Sequence, residues 1–294
     1  MKGFQGAKWV GNIAGVVISL AMLYLLWLCL TQYGDVIETN LMSHSGTWGM
    51  PFVSAVIAFI GNSTTVMLNA GDYSREMKPG MGSVKRGLSY FVAMVPATVL
   101  LGLIGAMAST ATGIANPINA FAQMVDNKLV LVVTLGFIIF AQLSTNLASN
   151  VIPPAYAFMD AFKMKQKTAV ILVGGLAVAT CPWILTNDSS AAGLDLFCKI
   201  YTAFFGPIFA VLLTDYFILH KKNYTEEQLA DLNNDEGNHK GTNWAAIIAI
   251  AVGAVIGLLN VDISFFTATI PTGLIFYFGM KYMPSCERFR KGTT

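Results

Sequence analysis

Residues 129–152 read LVLVVTLGFIIFAQLSTNLASNVI, a run without a single charged side chain. A helix over that run is roughly 36 Å long at 1.5 Å per residue, enough to cross a hydrocarbon core of ~30 Å. Its first half is almost wholly apolar. Its second half brings in Gln142, Ser144, Thr145, Asn146, Ser149 and Asn150, and Pro153-Pro154 follows. Neutral polar groups in the middle of a spanning helix are costly unless they find partners, in the protein or in a bound solute.

Seven further apolar blocks surround this one: Val10–Leu30, Met50–Ala70, Leu88–Ala111, Thr168–Leu185, Phe197–Leu219, Asn243–Leu259 and Phe265–Met280. The fifth block and the last two are the shortest, and local thinning of the bilayer accommodates a short span. Of the 294 residues 55% are hydrophobic and 12% charged, where a soluble domain carries roughly 25% charged residues. That leaves too little polar sequence to clothe a soluble enzyme, a nucleic-acid binder or a disordered regulator. The expectation is an all-α polytopic membrane protein with about eight transmembrane helices, and residues 1–294 form one transmembrane domain. Cys29, Cys181, Cys198 and Cys286 form no CxxC or Cys/His cluster, so neither a disulfide framework nor a thiolate metal site is expected.

The basic residues set the threading. With the N-terminus inside, the inner segments hold 16 of the 18 Lys and Arg, and only Lys128 and Lys199 fall outside. The outer segments carry Asp35, Glu38, Asp126, Asp188, Asp195 and Asp262. This alternation predicts eight spans with both termini cytoplasmic, and the expected location is the plasma membrane. The loop 220–242 is the one long polar stretch, and Tyr224-Thr225-Glu226-Glu227 predicts the start of a short surface helix there.

No span carries a carboxylate dyad, a His pair or a Ser/His/Asp set, and His44, His220 and His239 fall in loops or at their edges. An enzyme embedded in the bilayer needs ionisable groups at depth, so no catalytic residue is expected. Two spans do carry polar chemistry. The second contains Gly61-Asn62-Ser63-Thr64-Thr65, the composition of a locally unwound helix, and interhelical hydrogen bonding is the rival explanation. In the fourth, Ala141, Ser144 and Thr145 stand at i, i+3 and i+4, on one helix face. A backbone carbonyl and two hydroxyls make a partial shell for a hard monovalent cation. The alternative is that the hydroxyls bond back to the preceding turn. Asn150 stands five residues beyond Thr145, about 140° round an ideal helix, and so faces a different neighbour or ligand. Gly11-x-x-x-Gly15 and Gly253-x-x-x-Gly257 predict close helix packing.

Several short motifs, in this order, resemble the nucleobase:cation symporter family that carries purines, uracil, allantoin and hydantoins. They are Gly49-Met50-Pro51-Phe52, Asp72-x-x-Arg75-Glu76, Ser144-Thr145-Asn146 with Ala148 and Asn150, and Pro154-Ala155-Tyr156. Cys181-Pro182-Trp183, Gly206-Pro207, Thr214-Asp215-Tyr216-Phe217 and Asn243-Trp244 follow. The resemblance implies a LeuT-like fold of five plus five helices in inverted repeat with two more, present here in part. The eight spans are similar to the fifth to the twelfth, so the chain reads as an incomplete symporter lacking the first four.

Residue by residue, the resemblance implies sodium ligands at Ala141, Ser144 and Thr145 and substrate contacts at Asn62, Ser63 and Asn150. Ser63 stands where hydantoin carriers place an aromatic residue, which fits a smaller or more polar heterocycle such as allantoin or a pyrimidine. No cofactor is implied beyond sodium as coupling ion, with the proton as the alternative. The implied partners are a small heterocycle, the lipid bilayer and a separate N-terminal segment, with no nucleic acid. The implied mechanism is alternating access, a bundle holding the second span rocking against a scaffold holding the fourth. The rival function is a non-transporting truncated protein or a half-carrier subunit.

Overall fold

A computed structural model describes residues 3–43, 45–74, 77–114, 116–181, 183–184, 191–232, 234, 237 and 240–290. All regular structure among them is helical. In chain order the helices are α1 (Gly3–Gln32), α2 (Gly34–Ser43), α3 (Met50–Leu68), α4 (Ala70–Ser74), α5 (Ser83–Thr112), α6 (Pro117–Met124) and α7 (Lys128–Asn146). After these come α8 (Ile152–Phe162), α9 (Gln166–Ala179), α10 (Ala191–Leu213), α11 (Glu226–Leu232), α12 (Trp244–Leu259), α13 (Ser264–Tyr282) and α14 (Glu287–Arg290). Each of the eight expected spans corresponds to an apolar helix. Six are long and apolar enough to cross a membrane, whereas Gln166–Ala179 and Trp244–Leu259 are shorter. The last span, expected among the shortest, runs from Val261 to Tyr282, because a 3-10 turn at Val261–Ile263 leads straight into α13.

The chain divides into two compact units. The first comprises Met1–Gly46 and Asn69–Ala191. In it α1 lies along α7, burying Leu28 with Phe121 and Val125. Cys29 and Ile37 bury with Ala108, Ala120 and Met124, which seats α2 and α6 against α5. Gly113, in the left-handed region at φ 72°, ends α5 and returns its N–H to Ser109 O; glycine adopts that conformation without the Cβ penalty. Asn127 caps α7, its side chain accepting from the N–H groups of Leu129 and Val130.

The fourth span does not stop at its double proline. A π-helical turn at Leu147–Val151 joins α7 to α8, and the whole apolar helix runs from Lys128 to Phe162. Pro153 and Pro154 occupy the first positions of α8. A proline lacks the N–H that a regular ladder needs, but the start of a helix leaves those donors unused. The widened turn supplies such a restart inside a continuous span.

The second unit comprises Thr47–Leu68 and Ala192–Thr294. Here α12 and α13 form a tight antiparallel pair around Ala245, Ala249, Phe276 and Met280, closed by Cys286 and Phe289. Glycines admit the neighbouring helices. The Thr272 hydroxyl fills the space beside Gly253, and the Cβ atoms of Ala203 and Ala268 stand 3.0 Å from where a side chain on Gly257 would begin. Gly253-x-x-x-Gly257 is therefore a packing seam as expected. Gly15 is not, since no atom comes within 4 Å of a Cβ there. A polar clamp holds α3 near its start: Ser54 Oγ donates to Asp262 Oδ1 at 2.6 Å, and Lys199 Nζ bridges Asp262 at 3.0 Å and Asp195 at 2.6 Å. The surface helix expected near Tyr224 is α11, opened by a reciprocal cap between Thr225 and Gln228.

Candidate functional site

The second span keeps its helix through the polar cluster. No unwinding occurs at 61–65; the interruption comes at Asn69, a turn between α3 and α4. Ser63 Oγ donates to Phe59 O at 3.1 Å and Thr64 Oγ1 to Ile60 O at 2.7 Å. The hydroxyls that were to demand a break are thus satisfied by their own preceding turn. Thr64 is fully buried, and Ser63 is partly exposed. Past the turn, Tyr90 Oη donates to Ala70 O at 2.7 Å, meeting a carbonyl at the restart. The side chain of Asn62 lies outside what the structure describes, as does that of Ala141.

The fourth span concentrates its polar groups about the π turn. Ser144 is buried at 7% exposure, whereas its neighbour Thr145 is exposed. Thr145 Oγ1 donates to Gln142 O at 3.2 Å, and Ser149 Oγ donates to Thr145 O at 2.6 Å. The amides form a second series: Asn146 Nδ2 donates to Gln142 O at 2.9 Å, and Asn150 Nδ2 donates to Asn146 Oδ1 at 2.6 Å. In the π turn the N–H of Ile152 reaches back to Leu147 O, five residues away. A turn closed that way holds more residues than an α turn. Asn150 therefore comes round nearer to the Thr145 face than the 140° of an ideal helix. Nothing in the sequence signalled the π turn except the double proline that follows it.

Ser144, Thr145 and Asn150 thus share one stretch of one helix in the first unit, and Ser63 belongs to the second unit. A hydroxyl that donates its proton to a backbone carbonyl keeps two lone pairs. The back-bonded Thr145 can still ligate a cation. The two explanations offered for these hydroxyls are compatible.

Elsewhere, His220 gains a setting that its loop position did not suggest. A second π turn, Thr214–Leu219, ends the sixth span and buries the imidazole at 8% exposure. Tyr224 Oη donates to Asp215 Oδ2 at 2.6 Å and its ring stacks on His220 at 4.2 Å. Burial first, then the bond to Asp215, push the Tyr224 phenol well above its ordinary value. The spacing of Asp215, His220 and Tyr224 was the available signal. Among the described residues no three His, Cys, Asp or Glu side chains gather as a metal site, and all four cysteines are free thiols. His44, His239, Arg75, Glu76 and Pro182 lie outside the described residues.

Comparison with known proteins adds the family. A family described as permeases for cytosine/purines, uracil, thiamine and allantoin matches residues 7–283. The chain is 27% identical over 298 residues to the hydantoin permease of Microbacterium maritypicum, covering 96% of this chain and 59% of that protein. It is 27% identical over 251 residues to the allantoin permease of Bacillus subtilis (strain 168), covering 80% and 50%. Its fold is similar to that of Mhp1, a nucleobase-cation-symport-1 family transporter, in a closed conformation with bromovinylhydantoin bound. That match has a TM-score of 0.76 at 25% identity and covers 95% of this chain and 63% of that one. Against inward-facing Mhp1 the TM-score is 0.73. The chain therefore spans between half and two thirds of the length of these relatives. They are permeases and transporters, not enzymes, and the fold is the LeuT-like one over the matched part. This multi-pass membrane protein belongs to the permease family for cytosine/purines, uracil, thiamine and allantoin.

Proposed function

We propose that the chain serves in cation-coupled transport of a nucleobase-like heterocycle such as allantoin, uracil or a hydantoin, contributing the helices that correspond to spans five to twelve. The observation that carries the reading is the fourth span. An uncharged membrane helix there holds a buried Ser144 hydroxyl, an exposed Thr145 hydroxyl and, at a π turn, the exposed amide of Asn150. Single-turn π bulges recur at functional sites, and neutral polar groups in a spanning helix call for partners in the protein or in a bound solute. The hydantoin and allantoin named for the relatives support the substrate class.

In this reading sodium is held by the Ala141 carbonyl with the Ser144 and Thr145 hydroxyls, and the proton is the rival coupling ion. Asn150, Asn62 and Ser63 meet the substrate. Three oxygen positions are fewer than a sodium ion coordinates, and two amides with one hydroxyl do not enclose a ring. We therefore infer that a separate N-terminal segment completes the carrier. The distribution of Lys and Arg supports cytoplasmic termini, and the plasma membrane is the location this reading proposes.

Uptake in proteoliposomes under a sodium gradient tests the reading. Labelled uracil, allantoin and hydantoin should not accumulate with the chain alone, and at least one should accumulate when a family N-terminal four-span segment is present. Uptake by the chain alone would refute the missing-ligand argument. Failure in both arrangements would favour a non-transporting protein.

A further inference from the structure

The hydrogen bonds along the fourth span fix more than a ligand position. Gln142 O is a carbonyl and can only accept, so the atom of Asn146 that meets it at 2.9 Å is the amide nitrogen. The other end of the Asn146 side chain is then its oxygen, which also can only accept. The atom of Asn150 that meets it at 2.6 Å must be the Nδ2 donor. The assignment follows from donor and acceptor logic alone, link by link from the backbone. It leaves Oδ1 of Asn150 with no partner among the described residues, on a side chain that is exposed in this chain.

We propose that Asn146 is a positioning residue for substrate specificity: it locks the Asn150 amide with its carbonyl oxygen outward, so the ligand must offer a ring N–H. This rests on the reading of the fourth span as the substrate-facing helix. The chemical class selected is the lactam or ureide ring that carries a donor N–H. A ring that places a bare nitrogen or oxygen at that point meets a carbonyl oxygen and is refused. Asn146 stands on the last turn of α7, immediately before the π turn, and Asn150 stands within that turn. The i, i+4 bond between them therefore crosses the one irregular step of the helix. Without it the Asn150 amide is free to rotate and present Nδ2 instead.

The test uses the chain in membranes with the same N-terminal segment. The half-saturation for hydantoin is compared with the inhibition constants of ring analogues in which each N–H in turn is replaced by oxygen, or by N–CH3 where the oxygen analogue is unstable. In the wild type, replacement at one ring position should weaken binding by about tenfold or more, as expected when an acceptor that the bound ligand covers loses its donor. Asn146→Leu should bring that ratio near one for the oxygen analogue, because the freed amide turns over. Ratios do not depend on how much protein inserts, so a general loss of folding does not imitate the result. An unchanged ratio in Asn146→Leu overturns the proposal while leaving the carrier reading intact. If the wild type takes up none of hydantoin, uracil and allantoin, the carrier reading fails and this proposal falls with it.

Discussion

The hydroxyl of Thr202 on α10 occupies the space that a side chain at Gly61 of α3 would need, and Cys198 O stands 3.1 Å from the same point. Thr202 is fully buried and donates to Cys198 O at 2.6 Å, so it has nowhere cheap to move. Gly61→Ala should therefore destabilise the second unit by about 1–3 kcal/mol, the usual cost of overpacking. Thermal unfolding in detergent measures it. The double variant Gly61→Ala/Thr202→Ala should recover most of the loss, a coupling expected only of residues in contact. Gly15→Ala, where no atom lies within 4 Å, should be neutral or slightly stabilising through helix propensity.

Tyr224→Phe removes one proton from a closed set. The phenol donates to the Asp215 carboxylate, so toward His220 Nδ1, at 3.1 Å, its oxygen can only accept, and the imidazole carries its proton on Nδ1. The variant should lower stability by about 1–3 kcal/mol, the range for losing a hydrogen bond to a charged group. Ring stacking on His220 and Tyr216 is retained, so the effect isolates the hydroxyl. The phenol is held protonated in the folded state above its ordinary 10.0. Its contribution is complete at neutral pH and is withdrawn as pH climbs past about 10 toward the folded value. Alkaline unfolding curves should accordingly fall less steeply for Tyr224→Phe than for the wild type.

Thr145→Ala tests the cation assignment. In uptake assays it should raise the sodium concentration for half-maximal transport several-fold and leave substrate half-saturation at saturating sodium nearly unchanged. A sodium dependence equal to that of the wild type would remove Thr145 from the ion's coordination.

Asn150→Ala should raise the substrate half-saturation about tenfold, the equivalent of one lost hydrogen bond of roughly 1.4 kcal/mol, without reducing insertion. Equal affinity in the variant would make the amide a packing group of the π turn.

Composition and the positions of the apolar helices were legible along the chain because a bilayer demands about twenty apolar residues per crossing, and that demand is local. The start of α11 beside Tyr224 was legible too, because a helix start is set by residues within one turn. Partner-dependent features were not. Gly11-x-x-x-Gly15 and Gly253-x-x-x-Gly257 are the same motif, yet Gly15 is open while Gly253 and Gly257 have Thr272, Ala203 and Ala268 standing against them. Gly61 through Thr65 has the composition of a break, yet the back-bonds of Ser63 and Thr64 keep it helical. The turn of Asn150 depends on a change in backbone ladder that no residue count along an ideal helix contains. Sequence by itself thus determined that this is a multi-helix membrane protein with its polar chemistry in two spans. Which hydroxyls are satisfied, which glycine is filled and which way an amide points were decided only by tertiary structure, because each depends on what the neighbouring turn or helix offers in return.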